Sequence, residues 1–523
     1  MKHRFLIFGL LIACSTYLHG QDNILISSKQ VSNSAEKIKE ILQRNATYTS
    51  FDFVDINLDK IFEHEEFSLQ FGERKIPIRK ERIDARGINN YVFVGSNNEG
   101  CRVLISVLDN DIQGVIETDE EVFTIKTIGE QQYALMTLDY SQLKEACDVF
   151  HDEIDRSSFD GANSLLHDSD IERDDDITSP SILRSAAAYD CKIRVLVLYT
   201  PNAQSSNSNI KNTILTMVEL ANQSFINSQI NYRIELVYVG QTNYTELGFI
   251  DTNFSRFQTA GDGYMDEVHT LRNKYSADVC VLLYYLPYSE CGYATIGSME
   301  TSAFCVVNSY CDILDYTFAH EIGHLIGCRH DPSEDPNTTP FAYGHGYVNP
   351  SKTWRTIMAY EPEGIDNCLK LLYWSNPNVT HDGEPMGTTA THDNARVWNE
   401  RSNTVMAFRQ PDNNVTFTSS DMPNTQYADV IAKQNITTSG TVNVNNGNTL
   451  KMRAGNSINL QHGFSVQTGA EFSAEIEEID DCGECASKIK VQNVPEEYDD
   501  MTSHRAEMNI ESGKSTSFSS FFK

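Results

Sequence analysis

Positive charge is what this chain has least of. Its 41 Lys and Arg residues stand against 73 Asp and Glu, a net charge of −32 over 523 residues. Neutralising phosphate needs clustered basic side chains, so a nucleic-acid binder is excluded, and such a surface repels anionic lipid as well. The long charged stretches, such as Asp168–Asp176, are acidic. Also missing is any run near the ~20 apolar residues that a membrane-spanning helix needs. Twelve cysteines suit an oxidising compartment. Without Cys14, near the N-terminus, an odd number remains, so at least one thiol lacks an intramolecular disulfide partner. Core-forming residues are plentiful: 40% hydrophobic and 10% aromatic residues rule out wholesale disorder. At roughly 100–200 residues per domain, three or so domains are expected.

The order along the chain is informative. Lys2, His3 and Arg4 precede an apolar run, Phe5–Ala13, and then small and polar residues to Gly20 and Gln21, the layout of a secretory leader. Two leader types compete: Leu11-Ile12-Ala13-Cys14 resembles a lipobox that would lipidate Cys14, and Gly20 before Gln21 suits ordinary signal peptidase. From Asn23 to Phe150, alternating runs such as Tyr91–Val94, Arg102–Val107 and Val122–Ile125 predict a β-rich domain. Asp152–Pro180 reads as an exposed acidic linker, with Arg173 and Arg184 as candidate cleavage points. Beyond Cys191 the pattern becomes strand, helix, strand, helix, strand, which predicts an α/β sheet: strands at Ile193–Tyr199, Tyr232–Val239 and Ala277–Tyr285, helices at Asn209–Asn227 and Gly263–Lys274. A short strand is expected at Phe304–Asn308, and helices at Asp312–Ile326 and Thr391–Phe408. After Gln410, Gly447, Gly455, Gly463 and Gly469 punctuate short alternating runs, and spacings of 8, 8 and 6 residues suggest successive β-rungs or hairpins. Cys482 and Cys485 read as a small disulfide loop in a flexible tail.

Residues 320–331 read HEIGHLIGCRHD. On a helix His320 and His324 are one turn apart and face the same way, so both imidazoles can reach one metal ion. Glu321 can address a water there. Gly327 suits the helix end, since glycine takes left-handed angles without steric cost, and the chain can then return His330 to the same ion. Three nitrogen ligands with an open fourth position describe a catalytic zinc site rather than a structural one. By composition this extended motif arises by chance about 4 times in 100,000 such chains.

HExxHxxGxxH with a downstream Met-turn, here Thr356–Tyr360 around Met358, resembles the metzincin zinc endopeptidases. Asp331 after the third histidine, Leu196–Pro201, Cys291–Ala294, Trp354–Thr356, Trp374–Pro377 and Asp393–Arg396 look like bacterial reprolysin-like enzymes, including the peptidyl-Asp metalloendopeptidase group. The resemblance covers Cys191–Arg409. It implies one catalytic Zn2+ on His320, His324 and His330, with Glu321 as general base. Met358 would form an apolar floor, Asp331 an anchor for the turn, and Gly292, Tyr293 and Ala294 the edge strand that pairs substrate. Tyr360 occupies the place of a tyrosine that in some metzincins assists catalysis, with a packing role the equal alternative. His345 reads as a loop residue. Cys101 is the candidate for a propeptide thiol switch, against an equally weighted Cys101–Cys147 disulfide. In the catalytic domain the guess for pairing is Cys291 with Cys305 and Cys328 with Cys368, although spacing does not determine connectivity. Lys352 or Arg355 would be the candidates for receiving an acidic substrate side chain. Calcium is left open.

The expected fold class is multidomain α/β. A signal peptide (1–20) and a β-rich propeptide with acidic linker (21–185) precede a metzincin domain of twisted mixed sheet plus active-site helix (186–410). A small all-β repeat module (411–480) and a flexible tail (481–523) follow. The function expected is a secreted bacterial zinc endopeptidase, made as a latent precursor and matured by another protease or by itself, acting on proteins or peptides. The competing readings are an inactive metzincin-fold binding protein, a surface-attachment protein acting through the C-terminal module and, for location, an outer-surface lipoprotein.

Overall fold

The computed structural model describes residues 23–27, 48–138, 147–150 and 192–479, apart from short gaps within those ranges. The leader with Cys14, the linker with Arg173 and Arg184, and the tail with Cys482 and Cys485 lie outside the described residues. The chain divides into two compact units, Met1–Leu138 and Asp139–Lys523.

In the first unit nine strands, from Asn23–Ser27 to Gln132–Leu138, close into a barrel. Neighbours are antiparallel except at the seam, where the first strand runs parallel to the third, with Asn23 opposite Ser68. Alternating apolar residues supply the core: Phe67, Phe93, Ile105 and Ile125 are fully buried. Closure leaves no unpaired sheet edge.

The second unit is built around one nine-stranded sheet, with smaller two- and three-stranded sheets besides. Its strands are β1 (Cys147–Phe150), β2 (Lys192–Tyr199), β3 (Arg233–Gln241), β4 (Val279–Tyr284), β5 (Gly292–Thr295) and β6 (Phe304–Asn308). After the two-residue strands β7 (Trp354–Arg355) and β8 (Leu369–Lys370) come β9 (Asn414–Thr418), β10 (Thr425–Ala432), β11 (Asn435–Ser439), β12 (Thr449–Ala454), β13 (Ser457–Asn459) and β14 (Glu471–Ile476). The nine-stranded order is β1-β5-β6-β4-β2-β3-β10-β12-β14. β2, β3, β4 and β6 are parallel, and their near-continuous apolar sequences fit strands covered on both faces. The crossovers carry α1 (Ile210–Asn227), α2 (Ile250–Gln258) and α3 (Glu267–Lys274). β5 runs antiparallel to β6. Against these two strands lies the site helix α4 (Thr317–Ile326), and α5 (Asn394–Met406) packs on α4.

Several boundaries differ from expectation. The helix foreseen from Asp312 is a short 3-10 turn at Ile313–Asp315, a left-handed residue at Tyr316 (φ 54°), and then α4. Asp312 accepts the Leu314 N–H at 3.0 Å, so its carboxylate favours a local turn over a helix start. α3 begins at Glu267 rather than Gly263, because the Asp266 carboxylate ties back the N–H groups of Gly261 and Gly263.

The C-terminal strands stack in parallel with a period of one long coil. Tyr427 pairs with Thr449 and Thr449 with Glu471, so each coil takes 22 residues. The glycines spaced by 8, 8 and 6 mark corners within coils: Gly447 donates to the Gly469 carbonyl at 2.9 Å, one coil above. The stack also does not stand apart, since β10 pairs antiparallel with β3 and one sheet contains strands from both sides of residue 410.

One disulfide joins Cys291 to Cys311, with Cα atoms 5.7 Å apart. This corrects the expected Cys291–Cys305 pairing: Cys305 lies opposite Ala294 on the β5–β6 ladder, three residues from Cys291. At ~3.3 Å per residue that separation exceeds what a disulfide spans. Cys328 and Cys368 are both buried thiols, not a pair.

Candidate active site

All ten residues of α4 are buried. His320 and His324 project from it one turn apart. Gly327 ends the helix at φ 122°, its N–H shared between the carbonyls of Gly323 and His324. The reversal brings the Nε2 of His330 to 3.1 Å from that of His320 and 3.0 Å from that of His324, with 3.1 Å between the helix pair. None of the three is more than 5% exposed.

The outer ring nitrogens fix the tautomers. His320 Nδ1 lies 3.0 Å from the Ile357 carbonyl and His324 Nδ1 2.9 Å from that of Cys328. A carbonyl only accepts, so both Nδ1 atoms carry the proton and both Nε2 lone pairs point inward. Burial first, then the neighbouring His324 and Lys370, hold His320 well below its ordinary pKa, so it stays neutral. Lone pairs so close together repel one another, and a cation between them removes the conflict. Their spacing is near the ~3.3 Å expected of nitrogens around one zinc at ~2.0–2.1 Å. The donor set fits zinc.

Glu321, next in sequence to His320, is fully buried. Its carboxylate lies against Gly292 of β5: a Cβ there would sit 2.1 Å from Glu321 Oε1. Glycine at the start of the edge strand is what lets the acid occupy that place. Tyr293 and Ala294 follow it, both buried, with the Tyr293 ring 4.9 Å from that of Phe254. The other edge of β5 carries β1 in parallel, Cys147 opposite Gly292 and Phe150 opposite Thr295.

Met358 is fully buried beneath α4, where a Cβ on Gly323 would lie 3.1 Å from its sulfur. Gly346 allows the Met-turn backbone to close in, since a Cβ there would meet Ala359 N at 2.5 Å. Asp331 accepts the Tyr360 N–H at 2.9 Å and a bond from the Ser333 hydroxyl, joining the turn at His330 to the Met-turn. The Tyr360 ring lies on His330 with centroids 4.4 Å apart. His345 is outside the triad and packs behind it, its Nδ1 2.7 Å from the His330 carbonyl.

Cys101 is 3% exposed within the barrel core of the first unit. Of the two cations singled out for an acidic substrate, Lys352 is exposed and Arg355 is buried in contact with main-chain carbonyls. Sequence reasoning missed Lys370, which no motif marks: it becomes part of this neighbourhood only through the pairing of β7 with β8.

A family model described as Metallo-peptidase family M12 matches residues 189–375. A protein named peptidyl-Asp metalloendopeptidase from Stenotrophomonas maltophilia (strain R551-3) is 34% identical over 65% of this chain and 77% of its own length. One of the same name from Xanthomonas campestris pv. campestris is 36% identical over 57% and 67%, and one from Pseudomonas fragi 38% identical over 36% and 99%. The chain belongs to the bacterial reprolysin-like metallopeptidases. It is a zinc metalloendopeptidase, and in this reprolysin-like chain the family match ends at Ser375, before α5 and the C-terminal stack.

Proposed function

We propose that this zinc endopeptidase is exported as a latent precursor, uses Glu321 as general base, and cleaves peptide bonds on the amino side of aspartate. The observation that carries the catalytic part is the Glu321 carboxylate, buried next in sequence to His320 of the convergent triad and packed against the first residue of the edge strand. His320, His324 and His330 would hold the zinc, which when bound polarises the scissile carbonyl and makes water easier to deprotonate. An extended substrate adds its backbone to β5, and Glu321 takes the proton from the attacking water and returns it to the leaving amine. The Nδ1–carbonyl bonds keep the ligand rings oriented, and the Asp331–Tyr360 bond keeps the two turns in register. The ring of Tyr360 on His330 supports a positioning role for that residue.

The preference for aspartate is suggested by the names of the relatives. Latency is supported by β1, whose backbone takes the β5 edge that a substrate would need. Maturation then requires cleavage between Phe150 and Lys192 and departure of that strand. A thiol switch through Cys101 would require that side chain to leave the barrel core, so latency is assigned to β1. Export rests on the leader. Among the described residues no helix is long and apolar enough to cross a membrane.

The test compares the processed protein with Glu321→Ala for zinc content and hydrolysis of denatured casein. One zinc in both, with hydrolysis only in the parent and stopped by a chelator, is expected. Equal hydrolysis by both would remove Glu321 from the mechanism. For latency, Val149→Pro in the uncleaved precursor deletes a β1 N–H and should raise basal hydrolysis, and an unchanged rate would count against the strand.

A further inference from the structure

At the Gly292 end of the edge strand stand three tyrosines that no catalytic step uses. Tyr285 and Tyr310 are half-buried, and Tyr288 is 81% exposed on a turn. The Tyr310 ring pairs with both others, its centroid 6.0 Å from that of Tyr285 and 5.5 Å from that of Tyr288. Tyr288 has φ 64°, a left-handed conformation that is costly for a bulky residue, and it turns an aromatic ring to water at the same time.

The backbone beneath these rings is already fixed. Asn308, 1% exposed at the end of β6, accepts the N–H groups of Leu286 and Tyr310 at 3.0 and 3.1 Å. It also donates to the carbonyls of Leu286 and Glu290 at 2.7 and 3.1 Å. One buried amide therefore holds both segments that carry the rings, and the Cys291–Cys311 disulfide ties the residue after Tyr310 to the residue before Gly292. Side chains on an ordered backbone lose less entropy when a ligand meets them.

The same neighbours place the rings on the path of a bound chain. Glu321 lies against Gly292, so the scissile bond of a chain on β5 lies near that residue. β1 marks the course of an extended chain on this edge, with Cys147 opposite Gly292 and Phe150 opposite Thr295. Continued past Gly292, that course runs beside Cys291 and Glu290, and at ~3.3 Å per residue it reaches the tyrosines about two to four residues from the scissile bond. Burial first, then Tyr288 and Tyr285, push the Tyr310 pKa up, and no carboxylate contributes, so the rings offer an apolar face rather than an acidic one.

We propose that Tyr285, Tyr288 and Tyr310 form an aromatic subsite for a large apolar or aromatic side chain of the substrate, on the side of the scissile bond where the chain leaves β5 at Gly292. The proposal rests on the reading that substrate adds to β5. An aromatic side chain meeting these rings gains roughly tenfold over a small polar one. The proton transfers remain with Glu321.

The experiment takes a casein peptide that the processed, zinc-loaded enzyme cleaves and places Phe, Ser or Arg in turn at each nearby position on either side of the bond. On one side only, a position should appear where Phe raises kcat/KM about tenfold over Ser, mainly through KM, and where Arg gains less. Tyr288→Asn, which suits a left-handed backbone, should bring the Phe-to-Ser ratio close to one, and Tyr288→Phe should keep it. Tyr310→Ser should act like Tyr288→Asn, and zinc content with thermal midpoint identifies any variant that has lost its fold. N-methylation of peptide N–H groups away from the scissile bond tests the pairing with β5 separately, and alternate positions should slow cleavage. Indifference to N-methylation overturns the β5 reading and the subsite with it. Sensitivity to N-methylation overturns the subsite alone if no position prefers Phe, if Arg is preferred to Phe there, or if the full ratio survives in folded Tyr288→Asn and Tyr310→Ser.

Discussion

Glu321 can sit where it does only because residue 292 has no side chain. The nearest atoms to a Cβ at that position would be Oε1, the carboxyl carbon and Cγ of Glu321, at 2.1, 2.4 and 2.6 Å. Gly292→Ala must therefore push the carboxylate aside while leaving the three imidazoles on α4 and its following turn untouched. Because a misplacement of about 1 Å at a catalytic group can cost a hundredfold, kcat should fall by about that factor with zinc content unchanged. Equal kcat values for Gly292→Ala and parent, at equal zinc occupancy, would show that the contact does not position the base. The comparison also marks what a sequence can disclose at this scale. His320 and His324 stand one helical turn apart, and Gly327 marks the helix end that returns His330, all within eleven positions, so their convergence is readable. Gly292 matters through its contact with Glu321, 29 positions away, and nothing local announces it.

At the scale of single elements, the turn that returns His330 depends on an ion pair just beyond it. Arg329 Nη1 lies 2.5 Å from Asp335 Oδ2, with side chains 6% and 5% exposed, and Asn337 donates to the other oxygen of the same carboxylate. Burial alone would raise the Asp335 pKa, but the Arg329 charge and these bonds outweigh it and hold it below the usual carboxylate value. A depressed folded-state pKa contributes stability that is present above the unfolded value, near pH 4, and is lost as pH falls through the folded value. Asp335→Asn should cost about 3 kcal/mol at neutral pH, since it leaves a buried guanidinium without its partner. Measured by denaturant unfolding of zinc-free protein, the gap between parent and variant should stay constant from pH 7 to about 5 and narrow below about pH 4. A gap independent of pH would mean that the pair is not what anchors the loop. Local patterns gave α1, α3, α4, α5 and the parallel strands of this unit to within about five residues, and missed α2 (Ile250–Gln258). They failed at Asp312 and Asp266, where a carboxylate capturing nearby N–H groups competes with helix formation.

At the scale of the larger unit, the composition change at Gln410 suggested a separate appendage, and the hydrogen bonding says otherwise. β10 adds to β3 with Val239 opposite Tyr427, and Val430, Leu450 and Met452 share one apolar cluster with Val237, Tyr238 and Phe304. Composition registers the change from α/β crossovers to Asn- and Gly-rich coils, but an edge-to-edge strand pairing leaves no such trace. The seam is also charged. Arg453 of β12 meets Asp429 at 3.0 Å and Glu235 of β3 at 2.9 Å, while Lys211 of α1 donates to the Gly447 carbonyl and the Thr449 hydroxyl, both at 3.0 Å. Truncation after residue 410 would uncover the β3 edge and that apolar cluster together, so the shortened enzyme should lose its cooperative thermal transition or aggregate rather than persist as a free-standing protease. Arg453→Ala isolates the charged part of the same argument. It leaves Glu235 and Asp429 in the seam without their shared cation, at a cost of about 3–5 kcal/mol, and because the active site is built on α4 and β5, that loss should appear in the unfolding midpoint while kcat per folded molecule is retained. Should the truncated chain instead melt cooperatively at the parent's temperature with full casein hydrolysis, the coils would be a detachable module and the continuous sheet would have no energetic meaning.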